Sequence, residues 1–435
     1  MFTPLLWMVM PAAAIEIPHE QYHLDNGLNV ILMEDHSLPQ VVINLWYGVG
    51  SKDEAVGRSG FAHLFEHLMF MGTSRLPGSG FDDLMEEHGG WNNAWTSEDA
   101  TDYYSVGPDN LVNLLLWMEA DRMEGLAQAM TQEKLDLQRE VVRNERRQGS
   151  EDAPYGEVWL VMPAAMYPVG HPYAHTVIGS HEDLQSATLE DVTGFFNTWY
   201  VPNNASLVVA GDFDPTAMKA TIQELFGDIK SQPLPIRPEF ETPDVPVTPL
   251  VELTDQVQIP MSVMTWHTPA AFAPGDADLD VVAAILAEGR TSRLYNRLVH
   301  EEGRAQEVYA YQYSQMLSSV FIIETKPTED HTLEELEVAI SEELSRLAEE
   351  GPTEQELTRV KNQLEVDFVR SLESLHGRAS RLNRYHYLTG DPGWLQQDLN
   401  RYRQVTVEDV QAAAATLTER RRTLVRVRPE EGSEE

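Results

Sequence analysis

The sequence predicts an α+β fold of two tandem homologous domains, each a mostly antiparallel sheet covered by helices. Three observations carry that expectation. A chain of 435 residues is longer than one domain usually runs. Short segments recur at a single displacement. Thr73-Ser74-Arg75-Leu76 returns as Thr291-Ser292-Arg293-Leu294, and Thr188-Leu189-Glu190-Asp191-Val192 returns as Thr406-Val407-Glu408-Asp409-Val410. Val142-Arg143-Asn144-Glu145 returns as Val360-Lys361-Asn362-Gln363, and all three are displaced by 218 residues (73 to 291, 188 to 406, 142 to 360). Three matches at one offset, in chain order, mark an internal duplication with a period too long for a solenoid. Each copy also mixes strand-like and helix-like periods.

The strands come from β-branched or alternating runs bounded by turn residues. They fall at residues 28–33, 41–47 and 205–210 in the first copy, and at 261–266, 319–324 and 423–427 in the second. Long helical periods run over 110–128, 131–148, 332–350 and 353–375. Prolines at 233, 235, 238, 243, 246 and 249 forbid helix and disfavour a central strand, so an extended linker starts at 231. The expected organisation is a leader at 1–14, a first domain at 15–230, a linker at 231–255, a second domain at 256–428 and an acidic tail at 429–435.

Composition excludes several functions. Acidic residues number 70 against 31 basic, a formal charge of -39, which repels nucleic acid phosphates and gives a self-repelling, hydrated surface. With no cysteine, disulfides, thiolate ligands and cysteine nucleophiles are excluded, so a metal must be held by His, Asp or Glu. Residues 1–14 are apolar and end in Ala12-Ala13-Ala14, which resembles a secretory signal without its basic start. That implies export to a periplasm-like compartment, or a cytoplasmic protein if the segment is not a signal. The run is shorter than the about 20 residues a membrane span needs, and no other stretch reads as transmembrane.

The chemistry concentrates in Gly60-Phe61-Ala62-His63-Leu64-Phe65-Glu66-His67-Leu68-Met69-Phe70-Met71. Ser59 is the expected N-cap and Gly72 the stop. On a helix, His63 and His67 project from one face, with Glu66 beside them. Two imidazoles one turn apart can reach one zinc ion, in the order H-x-x-E-H. A core helix with satisfied histidines is the bland alternative. It would bury three ionisable groups without a cation, at a cost of several kcal/mol.

A third ligand is required, and the helical stretch 131–148 offers Glu133, Glu140 and Glu145. At about 100° per residue, Gln138, Val141 and Val142 lie within about 60° of Glu145, whereas Glu140 lies about 140° away. Glu145 therefore shares the core-facing side. On this helix alone, a surface carboxylate paired with an arginine explains it equally well. Shifted by 218 without gaps, the four positions become Val281, Ala284, Ile285 and Gln363, none of them ionisable. One copy carries the chemistry and the other the scaffold.

These motifs resemble the pitrilysin/insulinase-type zinc metallopeptidases, the inverzincins. H-x-x-E-H at 63–67 is similar to that family's signature, and Glu145 falls where its third ligand lies. Asn92-Asn93-Ala94-Trp95-Thr96-Ser97-Glu98-Asp99-Ala100-Thr101-Asp102-Tyr103-Tyr104 resembles the family's segment after the metal helix, and Gly289-Arg290-Thr291-Ser292-Arg293-Leu294 one in its second domain. The resemblance implies one zinc ion held by His63, His67 and Glu145, with a zinc-bound water as nucleophile and Glu66 as general base. It also implies a peptide substrate added as a strand at Asn93, Ala94 and Thr96. A two-domain chain of this type is expected to pair with a second chain, either itself or a metal-free relative, which can supply an Arg/Tyr substrate clamp; Arg384 and Tyr385 are candidates that an ordinary helix surface explains as well. Two other readings remain: a non-catalytic subunit of a peptidase-like heterodimer, and zinc-dependent hydrolysis of another bond. His171 and His175 flank Pro172, which makes a helical metal pair unlikely there, and His88 reads as a helix C-terminal residue.

Overall fold

The structure is a computed structural model that describes residues 15–430. The leader expected at 1–14 and the tail beyond Glu430 lie outside the described residues. Two mixed sheets are each covered by helices. The first contains β1 (Glu20–His23), β2 (Asn29–Glu34), β3 (Gln40–Tyr47), β4 (Trp91–Thr96), β5 (Thr101–Pro108) and β6 (Ala205–Gly211), in the order β1-β2-β6-β3-β5-β4. The second contains β7 (Leu250–Asp255), β8 (Met261–Thr268), β9 (Ala305–Tyr313), β10 (Ser319–Pro327) and β11 (Thr423–Pro429), in the order β7-β11-β8-β10-β9. Each has one parallel pair, β2 with β6 and β7 with β11; the other pairs are antiparallel. Leaving out β1, the two orders match strand for strand, parallel pair included.

The displacement between copies is not constant. It is 218 residues from β5 to β10 (101 to 319) and from β6 to β11 (205 to 423), but 221 from β2 to β7 (29 to 250) and from β3 to β8 (40 to 261). The gapless alignment of the sequence reading therefore does not hold throughout. The linker is also shorter than 231–255. Leu250–Asp255 is an edge strand whose Val251 and Leu253 turn inward against the second sheet's core.

The covering helices are exchanged between halves. Glu157–Met166, from the first half, lays Val158, Met162 and Met166 against Val263, Val320, Ile322, Val425 and Val427 of the second sheet. Leu375–Thr389, from the second half, lays Ala379, Leu382 and Tyr385 on Ile31, Met33, Val42, Val208 and Ala210 of the first. The opposite face of that first sheet, through Val30, Leu32, Val41, Ile43, Leu45, Leu207 and Val209, meets the core that includes Phe61–Leu68. Burial on both faces is why these strands read as nearly continuous apolar runs.

Phe61–Leu68 buries Phe61, Leu64, Phe65 and Leu68, the side opposite its polar residues. Its N-cap is Gly60 rather than Ser59. Gly60 has φ 89°, and a Cβ there would lie 2.8 Å from the Ile178 carbonyl oxygen, so only glycine fits. Ser59 instead donates its hydroxyl to Asp183 at 2.5 Å. The helix ends at Leu68, before Gly72, and a turn completes the segment. The free N–H groups at its start are taken by Glu54, whose carboxylate accepts from Gly60 N at 3.0 Å and Ala62 N at 2.7 Å. The Glu54 side chain is fully buried, and burial holds its pKa well above the ordinary carboxylate range against those two donors.

Two outcomes follow. Residues 15–230 expressed alone leave the Ile31–Val208 face bare, so that fragment is expected to bind the dye ANS or aggregate, and to become soluble when co-expressed with 231–435. A stable, dye-silent first half would contradict the exchange as a structural necessity. Glu54→Ala strands two helix N–H groups and is expected to lower unfolding free energy by about 1–3 kcal/mol, measured by urea denaturation; an unchanged midpoint would show that Glu54 holds nothing.

Candidate metal centre

Gln132–Arg146 starts at Thr131, whose side chain accepts from Lys134 N, and buries Leu135, Arg139 and Val142. It packs against Phe61–Leu68 and brings Glu145 to the paired histidines. His63 Nε2 and His67 Nε2 lie 3.3 Å apart. Glu145 Oε2 is 3.3 Å from His67 Nε2 and 3.7 Å from His63 Nε2. Ligands held at about 2.0–2.1 Å in a tetrahedron around zinc stand about 3.3–3.4 Å from one another. The three atoms are thus spaced for one shared ion, and the donor set suits zinc. Among the described residues this is the group of His, Asp and Glu side chains that could hold a metal.

The electrostatics agree with ligation. Side-chain exposure is 18% for His63, 20% for His67 and 43% for Glu145, so the site is recessed but open on the glutamate side. Burial, and then the neighbouring His67, push the His63 pKa down to about 4. The neutral imidazole is the form that binds metal. His63 Nδ1 is buried without a partner, which leaves Nε2 as the nitrogen turned to the group.

Glu66 stands beside this cluster and accepts a hydrogen bond from Thr96 Oγ1 at 2.5 Å. Burial raises its pKa to about 7; the Thr96 bond opposes the rise and the Glu145 charge adds to it. A carboxyl group poised near neutrality can both take and return a proton. Thr96 ends β4, which pairs only with β5 and forms the edge of its sheet. Asn93 and Ala94 lie on the same edge strand, and Asn93 Oδ1 accepts from its neighbour Ala94 N.

The remaining sequence candidates lie elsewhere. Glu140 pairs with Arg143 at 2.6 Å, away from the histidines. His171 is buried and stacks on Tyr167 at 4.4 Å, while His175 faces Glu54 at 3.6 Å, so the two do not form a pair. His88 caps its helix through Leu84 O. Tyr385 is fully buried and donates to Asp398 at 2.6 Å, which removes it from any substrate clamp, while Arg384 is exposed. In the second copy, Asp276–Ala287 occupies the metal helix's place, with Val281, Ala284 and Ile285 buried. Gln363 is exposed and bonds Asp367. Glu54 was not legible as part of the site, because it caps the helix across a loop and carries no spacing signature.

Known proteins resemble this chain over most of its length. Residues 29–167 match the family described as Insulinase (Peptidase family M16). Residues 186–364 match the Peptidase M16 inactive domain, whose span includes the metal-free helix Asp276–Ala287. The zinc protease PqqE of Helicobacter pylori is 30% identical over 82% of this chain and 80% of that protein. A Bacillus subtilis protein named uncharacterized zinc protease YmxG is 26% identical over 92% of this chain and 95% of its own length. The crystal structure of a protease from Helicobacter pylori superposes with a TM-score of 0.87 and 26% identity, covering 95% of this chain and all of that one. With its duplicated sheets and its histidine–glutamate cluster confined to the first copy, this chain belongs to the insulinase family of peptidases, family M16.

Proposed function

We propose that the chain is a zinc-dependent endopeptidase that hydrolyses peptide bonds in peptides or unfolded segments. The observation that carries this reading is the convergence of His63 Nε2, His67 Nε2 and Glu145 Oε2 at 3.3–3.7 Å beside Glu66. His63, His67 and Glu145 would hold the ion. When bound, zinc supplies a Lewis acid that acidifies a water molecule and polarises a carbonyl group. Glu66 takes a proton as general base and returns it to the leaving amine, with Thr96 Oγ1 fixing its orientation.

The outer edge of β4 supplies the substrate platform. An extended peptide can pair along Asn93, Ala94 and Thr96, next to Glu66, by main-chain hydrogen bonds. Such pairing carries little side-chain selectivity, which suits unfolded substrates of varied sequence. The proposal includes a second two-sheet chain closing over the site, supported by the exposed flank at Glu145.

A panel of internally quenched peptides, assayed with and without chelator and with and without a candidate partner chain, tests the reading. Cleavage is expected to stop on chelation and return with zinc. Glu66→Gln is expected to keep one zinc per chain by mass spectrometry and to lose about 10²-fold or more in kcat/KM. Full zinc with undiminished cleavage in that variant would sink the assignment of the base. Zinc bound without turnover in every arm would favour the non-catalytic subunit.

A further inference from the structure

The second copy has no metal ligands in the matching helix, yet it grips the segment that follows the first copy's edge strand beside Glu66. That segment is the tight turn between β4 and β5, closed by Ser97 N on Ala100 O at 2.9 Å and by Ser97 Oγ accepting from Asp99 N and Ala100 N. Three hydrogen bonds cross to it directly from the second half, and a fourth is relayed through Tyr173. Tyr387 OH donates to the Asp99 carbonyl oxygen at 2.8 Å. Met316 N donates to Asp99 Oδ2 at 2.9 Å. Tyr313 OH donates to Glu98 Oε2 at 3.0 Å. Leu317 N donates to Tyr173 OH at 3.1 Å, and that hydroxyl donates in turn to Asp99 Oδ1 at 2.5 Å.

The first half grips the same turn. The buried Lys52 ammonium donates to the Asp99 carbonyl oxygen. Ser51 N and Lys52 N donate to Ser97 O and Glu98 O at 3.1 and 3.0 Å. This approach is so close that a Cβ on Gly50 would sit 2.4 Å from Glu98 O. Asp99 is therefore the node: two carboxylate oxygens and one carbonyl oxygen gather donors from both copies.

Three residues before Asp99 is Thr96, the hydrogen-bond donor to Glu66. Thr96 ends an edge strand with one neighbour, so its position depends on the turn that follows. Resting on the function proposed above, we infer that Asp99 is a positioning residue for the general base. Through it the metal-free copy fixes the β4–β5 turn, and the turn fixes Thr96 against Glu66. A simple brace between halves would predict lost stability with no selective effect on turnover.

The test uses the full, zinc-loaded chain and a quenched peptide. Asp99→Ala is expected to lower kcat about tenfold, the scale of a small misplacement of a catalytic group, with zinc content unchanged. Asp99→Asn keeps an acceptor for Met316 N and is expected to recover most of that loss. The double variant Asp99→Ala/Thr96→Val is expected to be no slower than the slower single variant, because both act on one contact. In the zinc-free chain, amide exchange across residues 96–100 is expected to speed up in Asp99→Ala. Wild-type kcat in Asp99→Ala, or losses that multiply in the double variant, would overturn the inference. If Asp99→Ala fails to fold, Tyr387→Phe decides: a smaller fall in kcat, again non-additive with Thr96→Val, supports the inference, and no fall overturns it. The two failures are separable. Undiminished cleavage by Glu66→Gln defeats the general-base reading on which the inference rests, whereas a crippled Glu66→Gln beside a wild-type Asp99→Ala defeats only the role of Asp99.

Discussion

Two imidazoles and a carboxylate, each better solvated in water, are held with their ligand atoms 3.3–3.7 Å apart in a recess. The rest of the molecule is organised around that juxtaposition. Without a cation it leaves a carboxylate and two imidazoles partly desolvated, which costs free energy. With one shared ion the same spacing becomes a ligand set. The arrangement is therefore sustained by rigid packing of Phe61–Leu68 against Gln132–Arg146, and that packing rests on the inner face of the first sheet.

The first sheet is not completed by its own half. Its outer face is covered by Leu375–Thr389 from the second copy, while Glu157–Met166 covers the second sheet in return. The duplication thus yields two sheets that share their helices, and the metal-free copy becomes part of the platform under the metal site. The node at Asp99 carries the same relation to the edge strand beside Glu66. The copy without metal ligands thus has a structural task.

Much of this was legible in the sequence, for physical reasons. The i, i+4 histidines and the i+3 glutamate share a helix face whatever the surroundings, and Glu145 was favoured by its place among Gln138, Val141 and Val142, though its helix alone left a surface carboxylate equally open. The strands expected at 28–33, 41–47, 205–210, 261–266, 319–324 and 423–427 were legible as apolar runs, whereas β5 and the edge strands β1, β4, β7 and β9, the edges partly exposed, were not. The threonines at 131, 332 and 353 each cap a helix as N-cap residues should. What stayed hidden depends on contacts between distant segments. Glu54 caps the metal helix across a loop, and Gly60 takes the N-cap because Ile178 leaves no room for a Cβ. The exchange of helices joins segments distant in the chain, and the convergence on Asp99 joins residues up to 288 positions apart, which no local period encodes. The shift from 221 to 218 residues between early and late strands escaped short motif matches because all three lay in segments with the 218 displacement.

The central claim is that His63, His67 and Glu145 share one ion. A crystal of the zinc-loaded chain, measured on both sides of the zinc absorption edge, tests it most directly. The account predicts one strong anomalous peak about 2.0–2.1 Å from His63 Nε2, His67 Nε2 and a Glu145 carboxylate oxygen, with Glu66 beside it but not bound to it. A peak coordinated by other residues, or no ordered zinc at this cluster under saturating metal, would contradict it.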